Sequence, residues 1–466
     1  MVSRFVGEFT GLVLVLTAVT FAFTGSLIVL AVARRRYREE HFKRLDDARK
    51  HYRPIITELL KEGTGYEQVL STLQAIAGKQ RMYILERLCL ENMPTPGQVP
   101  TIRRLCEDLG LVDLWQRQVA NTFRTPTGRS PSAGGDLLER TGRLSFVISA
   151  QSAENLRFIQ HQPSWPLLVK SLEAPHPDVQ AVAARALAAI AEPQSVPALV
   201  QCLHRAVFIP SAGLSVRSIK DALVRFPLEF ARDLLPSLSH AHPRIRFVAT
   251  DIIREMVEHA ARSEAGLDAE VFPAALTEVF LNKLCRDVNP DVRARAAPVI
   301  GSFTDPRARP ALLALLDDSQ WFVRLHAVRA LAHPKYTSES ACIAHRITDP
   351  NWRVREAAVK TLAALGEFGL LLDHLIWSDD RYAREQIAEE LERNGFMSQL
   401  LVQYAGDNGL REKRAVEQLA RLGKVSYIIA FLQNGAPPRL REKFLLEFGL
   451  DADPRVRAWA QQIARA

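Results

Sequence analysis

Two tryptophans stand at equivalent places in consecutive segments of this sequence, and their side chains could bind a flat ligand. Trp321 and Trp352 each lie two residues before a Val-Arg pair, whose arginines are Arg324 and Arg355. An aromatic edge flanked by guanidinium groups can stack on nucleobases. The same positions also suit ordinary packing between neighbouring repeats, and the sequence leaves both interpretations open.

Paired aspartates are the second arrangement that could carry chemistry. Asp317-Asp318 and Asp379-Asp380 could act as general acid and general base. Aspartates placed just before predicted helices are also good helix caps. No phosphate-binding loop, dinucleotide fingerprint, HExxH pair, nucleophile elbow or paired-cysteine motif occurs in the sequence. We therefore predict no catalytic residue, no cofactor and no metal ligand.

Histidines recur before prolines, where predicted helices begin. His176, His242 and His333 each precede a proline, and His240 lies two residues before His242. Imidazoles this close together could bind a metal ion. Their recurrence where the chain changes direction favours a role in turns instead.

The composition is typical of a folded protein without disulfides. Of the 466 residues, 47% are apolar and 24% are charged, which excludes the disordered class. The chain is longer than one hydrophobic core supports, so we expect several domains or a repeat array. The cysteines are widely spaced and include no CxxC pair, which predicts reduced, buried thiols. They are Cys89, Cys106, Cys202, Cys285 and Cys342.

Most of the net charge of +8 lies in one short segment. From Arg34 to Arg53 there are nine basic residues and four acidic ones. Anionic lipid headgroups attract such a cluster through residues 34–53, whereas the rest of the chain has too little excess charge for nucleic-acid binding to be expected. The membrane-surface cluster that we predict comprises Arg34, Arg35, Arg36, Arg38, Lys43 and Arg44.

An apolar stretch directly precedes this cluster. Leu12 to Ala33 is a run of 22 residues without a charge, and as a helix it would extend about 33 Å, enough to cross a bilayer. A cleaved signal peptide and a buried soluble helix are the alternatives, but the weakly charged start and the length favour an uncleaved anchor. Because arginine and lysine tend to stay in the cytoplasm, we expect a single pass through the inner membrane with the N-terminus outside and the body cytoplasmic.

The remainder of the chain is organised by a repeat. Val-Arg pairs begin at Val292, Val323 and Val354, 31 residues apart. In the unit that follows Asp349, we expect this aspartate to be the N-cap, apolar residues recur at helical spacing, and Gly366 suits the helix end. A second apolar helix follows. One such pair of helices cannot bury its apolar face alone, so the units must stack on one another.

The motif D-P-x-x-x-V-R-x-x-A-x-x-x-L resembles HEAT repeats, particularly the short bacterial variety similar to the repeats of phycobilin lyases. The resemblance covers about residues 165–466. It implies an all-α fold in which an α-solenoid of HEAT-like helical hairpins follows the single N-terminal transmembrane helix.

The resemblance also implies a structural ladder along the stack. In such repeats the arginine after Val commonly reaches toward an acid of a neighbouring turn, although Gln180 takes the arginine's place in the first clear unit here. The implied arginines are Arg293, Arg324, Arg355 and Arg384, and the implied acids are Asp291, Asp318, Asp349 and Asp380.

These patterns divide the chain into four parts. We predict an anchor at residues 1–36, a helical juxtamembrane region at 37–120, a linker or surface loop at 121–136, and the HEAT-like solenoid at 137–466. The juxtamembrane region could consist of degenerate repeats, and the linker is rich in Pro, Gly, Ser and Thr.

HEAT arrays serve mostly as binding scaffolds, so the resemblance implies a non-enzymatic scaffold that binds a protein partner at the inner membrane face. A partner in the same membrane, such as a transporter, a sensor or an envelope-polymer synthase, would fit. The alternative is a HEAT-like enzyme, similar to bilin lyases or to helical-repeat DNA glycosylases, with an active site on the concave face.

Overall fold

The computed structural model of the chain is helical throughout its ordered elements, with no strand among the residues that it describes. Those residues are 2–63, 65–77, 81–91, 95–123, 135–209, 214–262, 272–404, 410–433 and 438–465. The chain divides into two compact units, residues 1–195 with 210–219 and residues 196–209 with 220–466.

The first unit begins with a very long helix. Helix α1 runs for 61 residues and contains Pro54. The α-helices of this unit are α1 (Val2–Glu62), α2 (Tyr66–Gln74), α3 (Arg81–Glu91), α4 (Val99–Asp108), α5 (Leu111–Ala120), α6 (Gly135–Phe158), α7 (Trp165–Ser171) and α8 (Pro177–Ile190), with 3-10 helices at Pro96–Gln98, Asn121–Phe123, Gln162–Ser164 and Pro193–Ser195.

The two ends of α1 have different environments. From Leu45 onward, Leu45, Ile56 and Leu59 are buried where α1 packs on α2 and α3. Between residues 17 and 36 every described side chain is exposed, including those of Phe21 and Leu30. None of the described helical residues provides a segment with both the length and the apolarity needed to span a bilayer. The anchor at 1–36 stays a prediction, and the side chains of residues 2–16 lie outside the described part.

The second unit is a succession of helical hairpins. Helix α10 (Val216–Leu223) crosses the boundary between the units. The other α-helices are α9 (Val196–Phe208), α11 (Leu235–Leu238), α12 (Pro243–Arg262), α13 (Ala274–Asn282), α14 (Pro290–Ser302), α15 (Ala308–Leu316), α16 (Trp321–Ala330), α17 (Ser340–Ala344), α18 (Trp352–Ala364), α19 (Phe368–Trp377), α20 (Arg381–Arg393), α21 (Phe396–Tyr404), α22 (Leu410–Arg421), α23 (Val425–Gln433), α24 (Pro438–Phe448) and α25 (Pro454–Arg465). Its 3-10 helices are Leu228–Leu234, Leu284–Arg286, Pro334–Glu339 and His345–Thr348.

The hairpins of the second unit form two layers. The first helices of successive hairpins, α12, α14, α16, α18 and α20, pack side by side in chain order. The second helices α13, α15, α17 and α19 pack against them. Each helix thereby completes the core of its neighbour, as expected for a helical solenoid.

The repeating apolar positions explain why these layers form. Val292, Val323 and Val354, which precede the ladder arginines, are completely buried. Close approach of the first helices also needs small residues, because a Cβ at Gly301 would lie 2.9 Å from the carbonyl oxygen of Ala330. The 31-residue period therefore corresponds to one helical hairpin together with the apolar residues that it adds to the core.

The helix ends differ in one respect from the sequence-based expectation. Helix α18 is capped by Asn351, whose side chain accepts from the backbone N–H of Arg353, and not by Asp349. Asp349 lies two residues before Asn351 and has a different role, described below. At the other end, Gly366 adopts a φ of 77°, as the prediction of a glycine helix end requires.

The linker predicted at residues 121–136 falls within the first unit. Residues 124–134 lie outside the described part of the chain. Helices α5 and α6, which flank that segment, pack against each other.

Candidate interaction surface

A ladder of ion pairs joins consecutive hairpins of the second unit. The guanidinium of Arg293 donates from Nε and Nη2 to the carboxylate of Asp318 at 2.6 and 2.9 Å. Arg324 binds Asp349 in the same two-pronged way at 2.7 and 2.8 Å. In both pairs the acid lies 25 residues after the arginine. The ladder therefore links each first helix to the loop that opens the next hairpin.

Each ladder aspartate makes contacts in three directions. Asp349 accepts from Arg324 of the preceding hairpin, and its Oδ1 also accepts from the backbone N–H of Asn351 at 2.9 Å. Its carbonyl oxygen accepts from Nη1 of Arg355, the arginine of its own hairpin, at 2.9 Å. Asp318 repeats this arrangement with Gln320. The loop before each first helix is thus fixed by two arginines.

The ladder changes at its later steps. Arg355 Nε lies 3.7 Å from Asp380 Oδ2, and that nitrogen has no hydrogen-bond acceptor among the described residues. Asp380 instead caps α20. Arg384 donates to the amide oxygen of Gln418 at 2.8 Å, so its partner is none of the four aspartates implied by the resemblance.

One ladder acid lies elsewhere, and one ladder step was missed. Asp291 stands in the first turn of α14, where its backbone N–H is capped by Asn289. Arg246 makes an equivalent pair with Asp287 at 2.6 and 2.8 Å. The two residues of that pair are 41 positions apart, because α12 is longer and an additional segment follows it. The 25-residue spacing of the other steps therefore does not predict this one.

Electrostatics in the ladder favour the charged forms. Burial raises the pKa of Asp318 and of Asp349, but the hydrogen bonds from Arg293 and Arg324 and from backbone N–H groups outweigh it, so both pKa values lie below the ordinary range. The hydrogen bond that Arg293 donates to Asp318 in turn raises the pKa of Arg293. These carboxylates stay ionised and serve structure, which does not suit a general acid.

The tryptophan edge is formed at the start of α16 and α18. Trp352 is 53% exposed and Trp321 is half-buried. The guanidinium carbon of Arg353 lies 5.4 Å from the ring centroid of Trp321 and 5.3 Å from that of Trp352. These distances allow a cation–π contact with each indole. We call this arrangement of Trp321, Arg353 and Trp352 the tryptophan–arginine stack.

The cation of this stack differs from the sequence-based expectation. We expected Arg324 and Arg355 to flank the indoles, but the ladder holds both of them. Arg353 is exposed on its helix, whereas Val354 is buried and Arg355 is partly buried in the ladder. A second exposed pair, Trp377 with Arg414 at 4.8 Å, was also missed. The signal available for Arg353 was its place beside Trp352, two residues before the ladder arginine.

The histidine candidates and Asp317 have structural partners. The Nδ1 atoms of His176, His240, His242 and His333 each accept from the backbone N–H two residues ahead, as in a capped turn. Asp317 pairs with Arg346. Across the described ranges, no group of three or more His, Cys, Asp or Glu side chains is arranged to hold a metal ion. Four cysteines are buried and Cys342 is partly buried.

The basic cluster lies on α1. Arg34, Arg35 and Arg36 are exposed, and Arg35 pairs with Glu39 on the same helix. Lys43 is also exposed. The side chains of Arg38 and Arg44 lie outside the described part of the chain. Further along the helix, Arg49 binds Glu91 of α3, which joins the end of the basic segment to the folded part of the first unit.

Two segments of the chain match the sequence profile of the HEAT repeats family. The matched residues are 137–208 and 277–363, and the second segment contains the regular ladder and the tryptophan–arginine stack. HEAT repeats and a helical solenoid are thus supported for this protein. None of the curated proteins matches the sequence.

Several solved structures match this chain at low identity and low TM-score. They include a tubulin-recruiting array of TOG domains from microtubule polymerases (13% identity, 69% of this chain and 91% of that chain, TM-score 0.27). Another is Kap121p (12% identity, 91% and 54%, TM-score 0.40), of which this chain spans about half. A third is the Escherichia coli protein YibA (16% identity, 68% and 97%, TM-score 0.29). At these scores the likeness carries no argument about function, and the HEAT-repeat match remains the basis for comparison.

Proposed function

We propose that this protein is a membrane-attached HEAT-repeat scaffold, not an enzyme, and that it binds a protein partner. The observation that carries the proposal is the tryptophan–arginine stack, which lies at an exposed edge of two consecutive repeats. Tryptophan and arginine are the residue types most enriched among the dominant contacts of protein interfaces. Since Arg353 already lies over both indoles, the edge suits a protein surface better than an intercalated nucleobase.

The ladder supports this proposal because it fixes the stack. Trp321 and Trp352 are the first residues of α16 and α18, directly after the loops that Asp318 and Asp349 hold. A surface that is ordered before binding loses less conformational entropy when the partner arrives. The buried ion pairs thus give the exposed edge a defined geometry.

Membrane attachment is supported by the first half of α1. Its described apolar side chains from Val19 to Val32 are exposed, and the exposed basic residues 34–36 follow them. We propose that this part of α1 inserts in a bacterial inner membrane, with the N-terminus outside, the repeats in the cytoplasm and the basic cluster on anionic headgroups. Tethering would raise the effective concentration for a partner in the same membrane, such as a transporter, a sensor or an envelope-polymer synthase.

The partner is tested by crosslinking in native membranes. We expect a photo-crosslinker placed at position 322, directly after Trp321, to capture one protein reproducibly. The double variant Trp321→Ala/Trp352→Ala should lose most of that product. Phe208→Ala is the control, because Phe208 is 52% exposed and, like the tryptophans, is an aromatic residue of the second unit, where its ring lies against His240 and His242. Equal capture by wild type and the double variant would contradict the proposal.

The attachment is tested separately with vesicles. The full chain should stay on vesicles of anionic lipid at high salt, whereas a chain lacking residues 1–33 should bind at low salt and be released at high salt. Release of the full chain by salt alone would show that residues 1–33 do not insert. Binding of the shortened chain that salt does not weaken would contradict the role of the basic cluster.

A further inference from the structure

A groove among the first helices of the second unit is a second surface feature, and neither tryptophan nor Arg353 lines it. It has a volume of about 910 Å³ and is lined by residues of α12, α14 and α16 and of the segments that adjoin these helices. Apolar groups, among them Val257, Phe272 and Pro298, form part of its wall. The volume lies toward the upper end of the range for ligand sites.

Positive charge dominates this groove. Its charged lining consists of Arg254, Arg295, Arg329 and Lys335 against the single carboxylate of Glu258. Glu258 is already bound to Arg254. The groove therefore presents an excess of cations next to apolar surface.

The cations of the groove differ in how far they are neutralised. Arg254 and Arg295 both lie against the buried Asp251, at 3.0 and 3.3 Å. The ammonium of Lys335 donates to the carbonyl oxygen of Phe303 at 2.8 Å. Arg329 is exposed and pairs with no carboxylate of the described residues. One guanidinium is thus available to a ligand without breaking a contact within the protein.

The pKa of His326, which lines the groove, reflects the positive electrostatic potential there. Burial lowers the pKa of its imidazole, and the nearby Arg295, Arg329 and Arg254 lower it further, to about 4. Three guanidinium groups, one each on α12, α14 and α16, therefore act on the imidazole of His326. Near neutral pH the imidazole is uncharged, and the groove's positive potential comes from the arginines and the lysine.

We propose that this groove binds an acidic segment of the partner protein. The inference rests on the proposed scaffold function and names the chemistry that the partner must supply: carboxylates for Arg329 and its neighbours, and apolar side chains for the wall. Complementary charge across an interface favours encounter and selects the partner. A phosphate backbone fits less well, because nucleic-acid binding depends on many clustered cations and this groove has four.

The groove is tested with the full chain in detergent and a labelled ten-residue peptide that contains six glutamates and two leucines. We expect this peptide to bind, the same peptide with glutamines to bind at least about tenfold more weakly, and Arg329→Glu to weaken binding by a similar factor. Arg329→Lys should retain most of the affinity. Arg185→Glu is the matched control, since Arg185 is an exposed arginine within α8 of the other unit. Bound glutamates should also raise the pKa of His326, measured by NMR of labelled histidine.

Three results would overturn the inference. These are equal binding of the glutamate and glutamine peptides, an unchanged affinity in Arg329→Glu, and tighter Arg329-dependent binding of an RNA oligonucleotide or polyphosphate than of the acidic peptide. The crosslinking assay separates this failure from that of the scaffold function. Capture that survives Arg329→Glu but is lost in Trp321→Ala/Trp352→Ala would remove the groove from the interface and leave the scaffold proposal intact.

Discussion

The steps of the arginine ladder are not equivalent. At Arg324 the partner Asp349 has a side chain only 1% exposed and accepts two short hydrogen bonds. At Arg355 the partner Asp380 has a side chain 29% exposed and lies 3.7 Å away. At Arg384 the partner is an uncharged amide. The same residue type in the same register therefore meets a buried carboxylate, a partly exposed one and a neutral group.

The difference in burial and charge among the partners indicates how much each ladder step contributes to stability. A buried guanidinium that loses its carboxylate is left with an uncompensated charge, so breaking such a pair costs much more than the pair itself contributes. A partly exposed pair is solvated in either state and contributes little. We infer that the steps at Asp318 and Asp349 determine whether the central hairpins stay together, while the later steps adjust their stability.

Lowering the pH should weaken the two buried steps, at Asp318 and Asp349, together. We expect this to have the largest effect on the unfolding free energy. Because the folded-state pKa values of Asp318 and Asp349 lie below the unfolded value, about 3.9 for aspartate, their contribution is fully present above that value. It is lost as the pH falls through the folded-state pKa values. We expect the unfolding free energy of the wild type to decline more steeply below about pH 4 than that of Asp318→Asn/Asp349→Asn. Urea titrations at several pH values measure this, and parallel declines would contradict it.

Replacement of one buried aspartate should have the next largest effect. In Asp349→Asn the turn to Asn351 can be kept, because asparagine also has a side-chain oxygen, but Arg324 loses its counter-charge. We expect a loss of about 3 kcal/mol in unfolding free energy. Hydrogen exchange should localise the loss to α16 and α18. Lys360→Arg is the control and should leave exchange in α16 unchanged, because Lys360 is exposed on the same helix and pairs with Glu356 of that helix.

The sequence allowed part of this arrangement to be predicted and not the rest. The 31-residue period predicted the buried valines, since burial of one apolar face repeats with the helices. It could not identify Asn351 as the cap, because both Asp349 and Asn351 are good capping residues and only the packed ladder selects between them. Arg353 was missed because which guanidinium reaches an indole depends on the direction of each side chain from its helix.

The step at Asp380 should be weaker. Asp380→Asn keeps the cap of α20, because asparagine and aspartate are equally good N-caps, and removes only the charge near Arg355. We expect a loss of less than about 1 kcal/mol, as for exposed ion pairs. The measurement is urea unfolding in parallel with Asp349→Asn. A loss as large as that of Asp349→Asn would mean that distance and exposure do not rank the steps.

The step at Arg384 should allow the ladder to be extended. Gln418 offers one amide oxygen at 2.8 Å, and Nε of Arg384 is buried without an acceptor in the described part of the chain. The ladder spacing of 25 residues leads from Arg384 to Gly409, which has no carboxylate. Gln418→Glu supplies one and makes the hydrogen bond charge-assisted, so we expect a gain of about 0.5 to 1 kcal/mol. Gln418→Ala, the matched deletion, should lose a similar amount. If the glutamate variant is no more stable than wild type, Arg384 is held by packing of its alkyl chain, and the ladder ends at Asp380 for reasons of geometry rather than of charge.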